Sequence, residues 1–206
     1  MRVINPLKPL VFVSAMTLLP YSAGTLLKAQ TPVRDELVLN ANSSVVGPQG
    51  TTDFIVLTNA PSPDVYVKSE LKKAIIVVDL SKNVLYKYDQ DGNPTEAFLV
   101  ASGKKSTPTS TGVRVVSHVE TYPYRTAPKA TKRRRNPRDY GPKIIILNEL
   151  NPTNGIQSPC GEFIHGNNNP SSIGKYASKG CIRMDNEVIK ELSTQVQRGD
   201  IVKIIR

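Results

Sequence analysis

A thiol and an imidazole are the minimum equipment for cysteine acyl transfer, the first as nucleophile and the second as its base. The chain holds two cysteines and two histidines, and Cys181 stands sixteen positions after His165, inside Ser178-Lys179-Gly180-Cys181-Ile182-Arg183-Met184. Thiolate is the reactive form, so Cys181 needs a nearby base or cation and some exposure. Gly180 lets the backbone come close to a reacting carbonyl, and the amides of Gly180 and Cys181 could form an oxyanion hole, a device that contributes roughly a hundred- to a thousandfold in rate. His165 follows the apolar pair Phe163-Ile164 and precedes Gly166 and three asparagines, which places its ring at a strand end facing a loop. A lone histidine beside apolar residues is more often a hydrogen-bonded structural residue; the pairing with Cys181 is what points to a base.

The elements that must position this pair are mostly strands. Ala74 to Leu80 is a continuous apolar run, and Ser81-Lys82-Asn83 turns it into Val84 to Tyr88, a β-hairpin. Asp91-Gly92-Asn93-Pro94 is a second turn before a strand at Ala97 to Ala101, and Thr107 to Gly112 is a Pro- and Gly-punctuated loop. Strands are expected at Val113 to Glu120, Lys143 to Leu147, Glu162 to His165 and Ile201 to Ile205. Tyr86 and Tyr88 alternate as a sheet face does. One helix is convincing, from about Asn186 to Gln197, capped by Asp185 or Asn186 and ending before Gly199. The pattern predicts a mainly β domain, a sandwich or barrel-like sheet with one or two short helices.

Residues 1–29 carry Arg2 and Lys8 ahead of an uncharged stretch from Pro9 to Leu27, the layout of a secretory signal, cleaved or retained as an N-terminal anchor. Either outcome places the rest of the chain outside the cytoplasm, in the periplasm or cell wall. Residues 30–69 read as a linker or arm, in which Phe54 to Leu57 is the only strand-like run, and residues 70–206 as the folded domain. Loss of Arg2, Lys8 and Lys28 lowers the net charge from +10 to +7, still basic enough to favour an anionic membrane face or a charged wall polymer. Two cysteines in an exported chain also permit a Cys160–Cys181 disulfide. If Gly161 to His165 is a strand, however, Cys160 lies about 16 Å from His165, too far for a thiol at His165 to bridge to it.

Between Arg125 and Lys143 eight basic residues face one acid, Asp139. This run is either a solvated loop or a basic flap beside the site, with Tyr140-Gly141 as its hinge. Export and the lack of interleaved aromatics argue against nucleic acid as a partner. His118 sits in an alternating strand and receives no role; no spacing supports a metal site, and no cofactor is expected.

These residues resemble the L,D-transpeptidase catalytic domains (YkuD-like), cysteine peptidoglycan transpeptidases with a His-Gly pair followed some 15 residues later by Ser-x-Gly-Cys-x-Arg. The matches here are His165-Gly166 and Ser178 to Arg183. The hairpin Ile75 to Tyr88, Ser102-Gly103, the loop Thr107 to Gly112 and Gly199-Asp200 also look like that family, so the resemblance covers about residues 70–206. It implies a mostly β domain in which Cys181 attacks the carbonyl of the third residue of a peptidoglycan stem tetrapeptide and D-alanine leaves. The acyl group then passes to a stem amine as a 3,3 cross-link, to a lipoprotein amine, to a D-amino acid, or to water. By the same resemblance His165 is the base, the Gly166 carbonyl orients its second nitrogen, and Ser178 and Arg183 shape the cysteine loop or touch substrate; Lys179, as a cation beside the thiol, and Tyr140, in the flap hinge, are further supporting candidates. Lys179 departs from the histidine found there in many members, and Asn167 from the usual Thr or Ser. An L,D-carboxypeptidase and a non-catalytic wall-binding module are the alternative readings.

Overall fold

The computed structural model describes residues 45–46, 52–53, 57–125 and 137–206, which belong to the compact unit Asn40–Arg206. The leader, most of the arm, Phe54 to Val56 and residues 126–136 of the basic run lie outside the described residues. Leu57 opens a 3-10 turn, Leu57–Asn59, and is not part of a strand.

Strands come in chain order as β1 (Val45–Val46), β2 (Thr52–Asp53), β3 (Asp64–Val67), β4 (Glu70–Lys73), β5 (Ile76–Asp79), β6 (Val84–Tyr88), β7 (Pro94–Leu99), β8 (Ser102–Gly103) and β9 (Gly112–Thr121). Then follow β10 (Lys143–Leu150), β11 (Gln157–His165), β12 (Tyr176–Ser178), β13 (Ile182–Arg183), helix α1 (Asn186–Leu192) and β14 (Ile201–Ile205). Eight of them form one curled sheet in the order β13-β11-β10-β9-β14-β5-β6-β7, while β1–β2, β3–β4 and β8–β12 are separate pairs. The fold is thus mainly β and barrel-like, as the sequence predicts.

The continuous apolar run of β5 reflects burial on both faces. Ile76 and Val78 join the main core with Leu85, Val116, Ile145, Ile164, Val202 and Ile204, against which Ile189 and Leu192 of α1 pack. Val77 points the other way, into a second cluster with Val65, Val84, Tyr86 and Tyr88. The two tyrosines are therefore one buried face of β6, and the Tyr88 hydroxyl donates to the Pro61 carbonyl.

Three elements depart from expectation. The β3–β4 hairpin turns through Lys68 and Ser69 at φ 51° and 66°, left-handed positions normally marked by Gly or Asn, so its sequence lacks the usual turn signal. Helix α1 stops at Leu192, five residues short of Gln197. The Ser193 and Thr194 hydroxyls donate to the Lys190 and Glu191 carbonyls, and the Thr194 and Gln195 amides bond three residues back, tightening the chain out of α geometry. Strand β11 starts at Gln157, five residues before Glu162. It bulges where Gly161 takes φ 71° and the register slips between the Ile146–Phe163 and Asn148–Pro159 pairs.

Candidate active site

The site grows from the short parallel pairing of β11 with β13. Ile164 is opposite Ile182 and His165 opposite Arg183. Side chains alternate across a strand, so Ile164 and Ile182 go into the core while His165, Arg183 and Cys181 share the opposite face. That face is one wall of a cleft of about 230 Å³ lined by Asp139, Tyr140, His165, Asn168, Ser178, Lys179, Cys181 and Arg183. The thiol and imidazole singled out by type therefore meet in one cavity.

His165 is 3% exposed, and its Nδ1 lies 2.5 Å from the Gly166 carbonyl oxygen. A carbonyl only accepts, so Nδ1 carries the hydrogen and the basic lone pair of the neutral ring sits on Nε2. The loop after it is tied down from α1: the Asn186 side-chain oxygen accepts the Asn167 N–H at 2.8 Å, and Asn167 donates to Ser172 Oγ at 2.8 Å. Asn186 thus serves this loop, while Asp185 caps the helix. Asn167 is 3% exposed and its polar atoms are engaged, which gives this departure from Ser or Thr a structural use.

Tyr140 is 4% exposed, its ring 4.7 Å from that of His165, with edge contacts to Tyr124 and Phe163. The Tyr124 hydroxyl donates to the Gly141 carbonyl. The Tyr140 ring is thus packed on three sides as one wall of the cleft; residues 126–136 of the basic flap for which the sequence predicts a Tyr140-Gly141 hinge lie outside the described residues. Gly141 has φ 70°, and a Cβ there would come within 2.7 Å of the Gly166 Cα. Asn168 donates to Asp139 at 2.7 Å, so the one acid among the lining residues is hydrogen-bonded, and the lining also holds Lys179 and Arg183.

In the cysteine loop, Ser178 is fully buried; its hydroxyl donates to the Cys181 carbonyl at 2.5 Å and accepts the Gly180 N–H at 3.1 Å. The expectation that the Gly180 amide faces an oxyanion hole is not met, because that hydrogen is directed at Ser178. Gly180 contributes its backbone conformation instead, φ 117°, which a side chain would strain. Arg183 pairs through its backbone with Ala101, N–H to O in both directions at 2.8 Å, and its side chain lines the cleft.

No disulfide joins the cysteines. Cys160 packs against the main core and donates to the Leu147 carbonyl at 3.3 Å, and burial pushes its thiol pKa up. Among the described residues no group of three His, Cys, Asp or Glu side chains is placed to hold a metal ion. His118 bonds Glu120 on β9, outside the cleft. Asn186 is a positioning side chain that sequence reasoning missed; an asparagine beside an N-cap carries no signal of its long-range partner.

A family-wide profile of the L,D-transpeptidase catalytic domain, YkuD, matches residues 73–204, well over half of the chain. The chain belongs to that family. Among similar proteins, YkuD of Bacillus licheniformis is 38% identical over 96 residues, covering 42% of this chain and 53% of the relative. ErfK/SrfK of Escherichia coli is 29% identical over 180 residues, covering 82% and 54%. YkuD of Bacillus subtilis is 58% identical over 43 residues, 26% of its length, so the chain spans about half or less of these relatives. Of solved structures, the L,D-transpeptidase catalytic domain of Enterococcus faecium is 28% identical with a TM-score of 0.44, covering 65% of this chain and 98% of that one. An L,D-transpeptidase of Mycobacterium tuberculosis is 15% identical with a TM-score of 0.45, covering 71% and 67%. The matched stretch of this L,D-transpeptidase domain contains every cleft residue named above.

Proposed function

We propose that this L,D-transpeptidase domain is an exported acyltransferase whose nucleophile is Cys181 and whose donor is a peptidoglycan stem tetrapeptide. The observation that carries the reading is His165 with Nδ1 held by the Gly166 carbonyl, in the same cleft as Cys181. The carbonyl stands where a carboxylate stands in serine triads, fixing the tautomer that has its lone pair on Nε2.

The Cys181 proton passes to His165 Nε2, Sγ bonds to the carbonyl carbon of the third stem residue, and the tetrahedral oxyanion forms. As it collapses, the C–N bond to D-alanine breaks and His165 returns the proton to the leaving amine. An acceptor amine then attacks the thioester, loses a proton through His165 and restores the thiol. The acceptor is a neighbouring stem, a lipoprotein amine or a D-amino acid. Lys179 and Arg183 line the same cleft as Cys181 and bring positive charge suited to the carboxylates of stem peptides. The basic surface is also suited to anionic wall polymers.

Incubation of the purified chain with disaccharide-tetrapeptide, followed by mass spectrometry, is expected to give cross-linked dimer and released D-alanine, with neither from Cys181→Ala. Tripeptide without dimer selects the L,D-carboxypeptidase; no product and no Cys181 acyl adduct selects the wall-binding module. Fractionation of expressing cells tests export, which predicts the chain in the periplasm or wall.

A further inference from the structure

The cysteine loop is gripped by residues far from it in sequence. Thr109 is 4% exposed; its hydroxyl donates to the Gly180 carbonyl at 2.8 Å and accepts the Gly103 N–H at 2.9 Å. Beside it, the Ser178 carbonyl accepts from the Lys104 N–H at 3.1 Å and from Thr107 Oγ1 at 3.4 Å. None of Gly103, Lys104, Thr107 and Thr109 is among the residues that line the cleft. Gly103 makes this approach possible, because a Cβ there would collide with the backbone of Thr107 to Thr109.

The grip is itself anchored. Glu162, placed by the β11 bulge, accepts the Ser110 N–H at 3.1 Å with one oxygen and Arg114 Nε at 2.8 Å with the other. The Arg114 side chain is 3% exposed and that of Glu162 12%, a buried ion pair reinforced by the Arg114 bond to the Val113 carbonyl at 3.1 Å. The loop from Thr107 to Gly112 is thus held at both ends.

In a trans peptide the C=O and N–H point in opposite directions. Pinning the Gly180 carbonyl on Thr109, which does not line the cleft, turns the N–H of Cys181 away from Thr109. Gly180 is the residue most tolerant of a rotated peptide plane, so the tether decides the direction that the local sequence leaves open. Resting on Cys181 as the acylated residue, we propose that Thr109 is a positioning residue that aims the Cys181 amide at the developing oxyanion of the tetrahedral intermediate.

Two reactions of Cys181 separate this role from general support of the loop. Alkylation by iodoacetamide forms an S–C bond and expels iodide without an oxyanion. Acylation by p-nitrophenyl acetate passes through one and expels p-nitrophenolate. Both rates are read on the full chain, with modification mapped to Cys181. Thr109→Val, which keeps the shape and removes the hydroxyl, is expected to slow acylation about ten- to a hundredfold, less than full removal of an oxyanion donor. Alkylation should proceed at the wild-type rate, and Thr109→Ser should recover most of the acylation. Thr109→Ala is read in the same way if the valine variant does not fold. Undiminished acylation in Thr109→Val, or equal loss of both reactions, overturns the proposal. The ester probe is independent of the stem peptide, so a wild-type chain that is acylated by it but leaves tetrapeptide intact refutes the proposed substrate and not the role of Thr109.

Discussion

Replacing Ser178 by alanine removes one oxygen from a site with no solvent exposure, and the consequence can be worked out group by group. The hydroxyl satisfies two backbone groups, the Cys181 carbonyl at 2.5 Å and the Gly180 N–H at 3.1 Å. A hydrogen bond contributes about 1 kcal/mol net, and a buried group left unpaired costs about 1–3 kcal/mol. Gly180 and Cys181 are themselves half-buried, so water recovers part of that loss and the low end of the range applies to each. The expected destabilisation is about 2 kcal/mol. With a urea slope of about 2 kcal/mol/M, the midpoint of Ser178→Ala should fall by about 1 M with the slope unchanged, measured by far-UV circular dichroism. Since both lost bonds close the turn that carries Cys181, alkylation of that thiol should change rate along with stability. A shift below about 0.25 M urea with wild-type alkylation would refute the reasoning, because it would mean that water replaces the serine oxygen at no cost.

Three other outcomes follow from the same geometry. Burial acts to raise the Asp79 carboxyl, but hydrogen bonds from Ser81 and Lys82 outweigh it and hold the pKa below the usual value. A depressed carboxylate stabilises the fold above its unfolded pKa of about 4 and loses that contribution as the pH falls through the folded value. Asp79→Asn should therefore cost about 1–2 kcal/mol at pH 7 and little at pH 2; a gap independent of pH would contradict this. Iodoacetamide at neutral pH should modify one of the two thiols rapidly, with Cys181→Ala abolishing the fast phase and Cys160→Ala leaving it, because burial raises the Cys160 thiol; a fast phase lost in Cys160→Ala would reverse the assignment. Gly141→Ala should destabilise by more than about 1 kcal/mol and displace the His165 loop, given φ 70° and a Cβ 2.7 Å from the Gly166 Cα; a chemical-shift map unchanged at residues 165–167 would count against it.

Much of the fold was legible because its signals are local. The β5–β6 hairpin, the long strand β9 and the last strand β14 announce themselves by apolar runs, alternation and turn residues within a few positions. What escaped lacks a local signal. The β3–β4 hairpin turns on Lys68 and Ser69, residues that are rarely left-handed. Helix α1 ends early because Ser193 and Thr194 bond back to the preceding turn, although Val196 continues the apolar spacing and is buried without helical geometry. At the site the same division holds. Cys181 and His165 stand out by residue type and rarity, and Gly180 by its place in the motif. The direction of the Gly180 amide was misread because only a structure shows it turned onto Ser178.

By itself the sequence determined the chemistry on offer: a thiol and an imidazole with glycines beside them, a β-rich domain to hold them, and a net positive charge. Tertiary structure alone decided how those groups face one another. Thr109 reaches Gly180 across 71 positions and Ser110 reaches Glu162 across 52, distances over which no periodicity or turn preference carries information. The physical reason is that a side chain's type limits what it can donate or accept, whereas its partner is chosen by the burial of both in one core. The β11–β13 pairing, with Ile164 and Ile182 drawn inward, is what turns His165 and Cys181 outward into the same cleft.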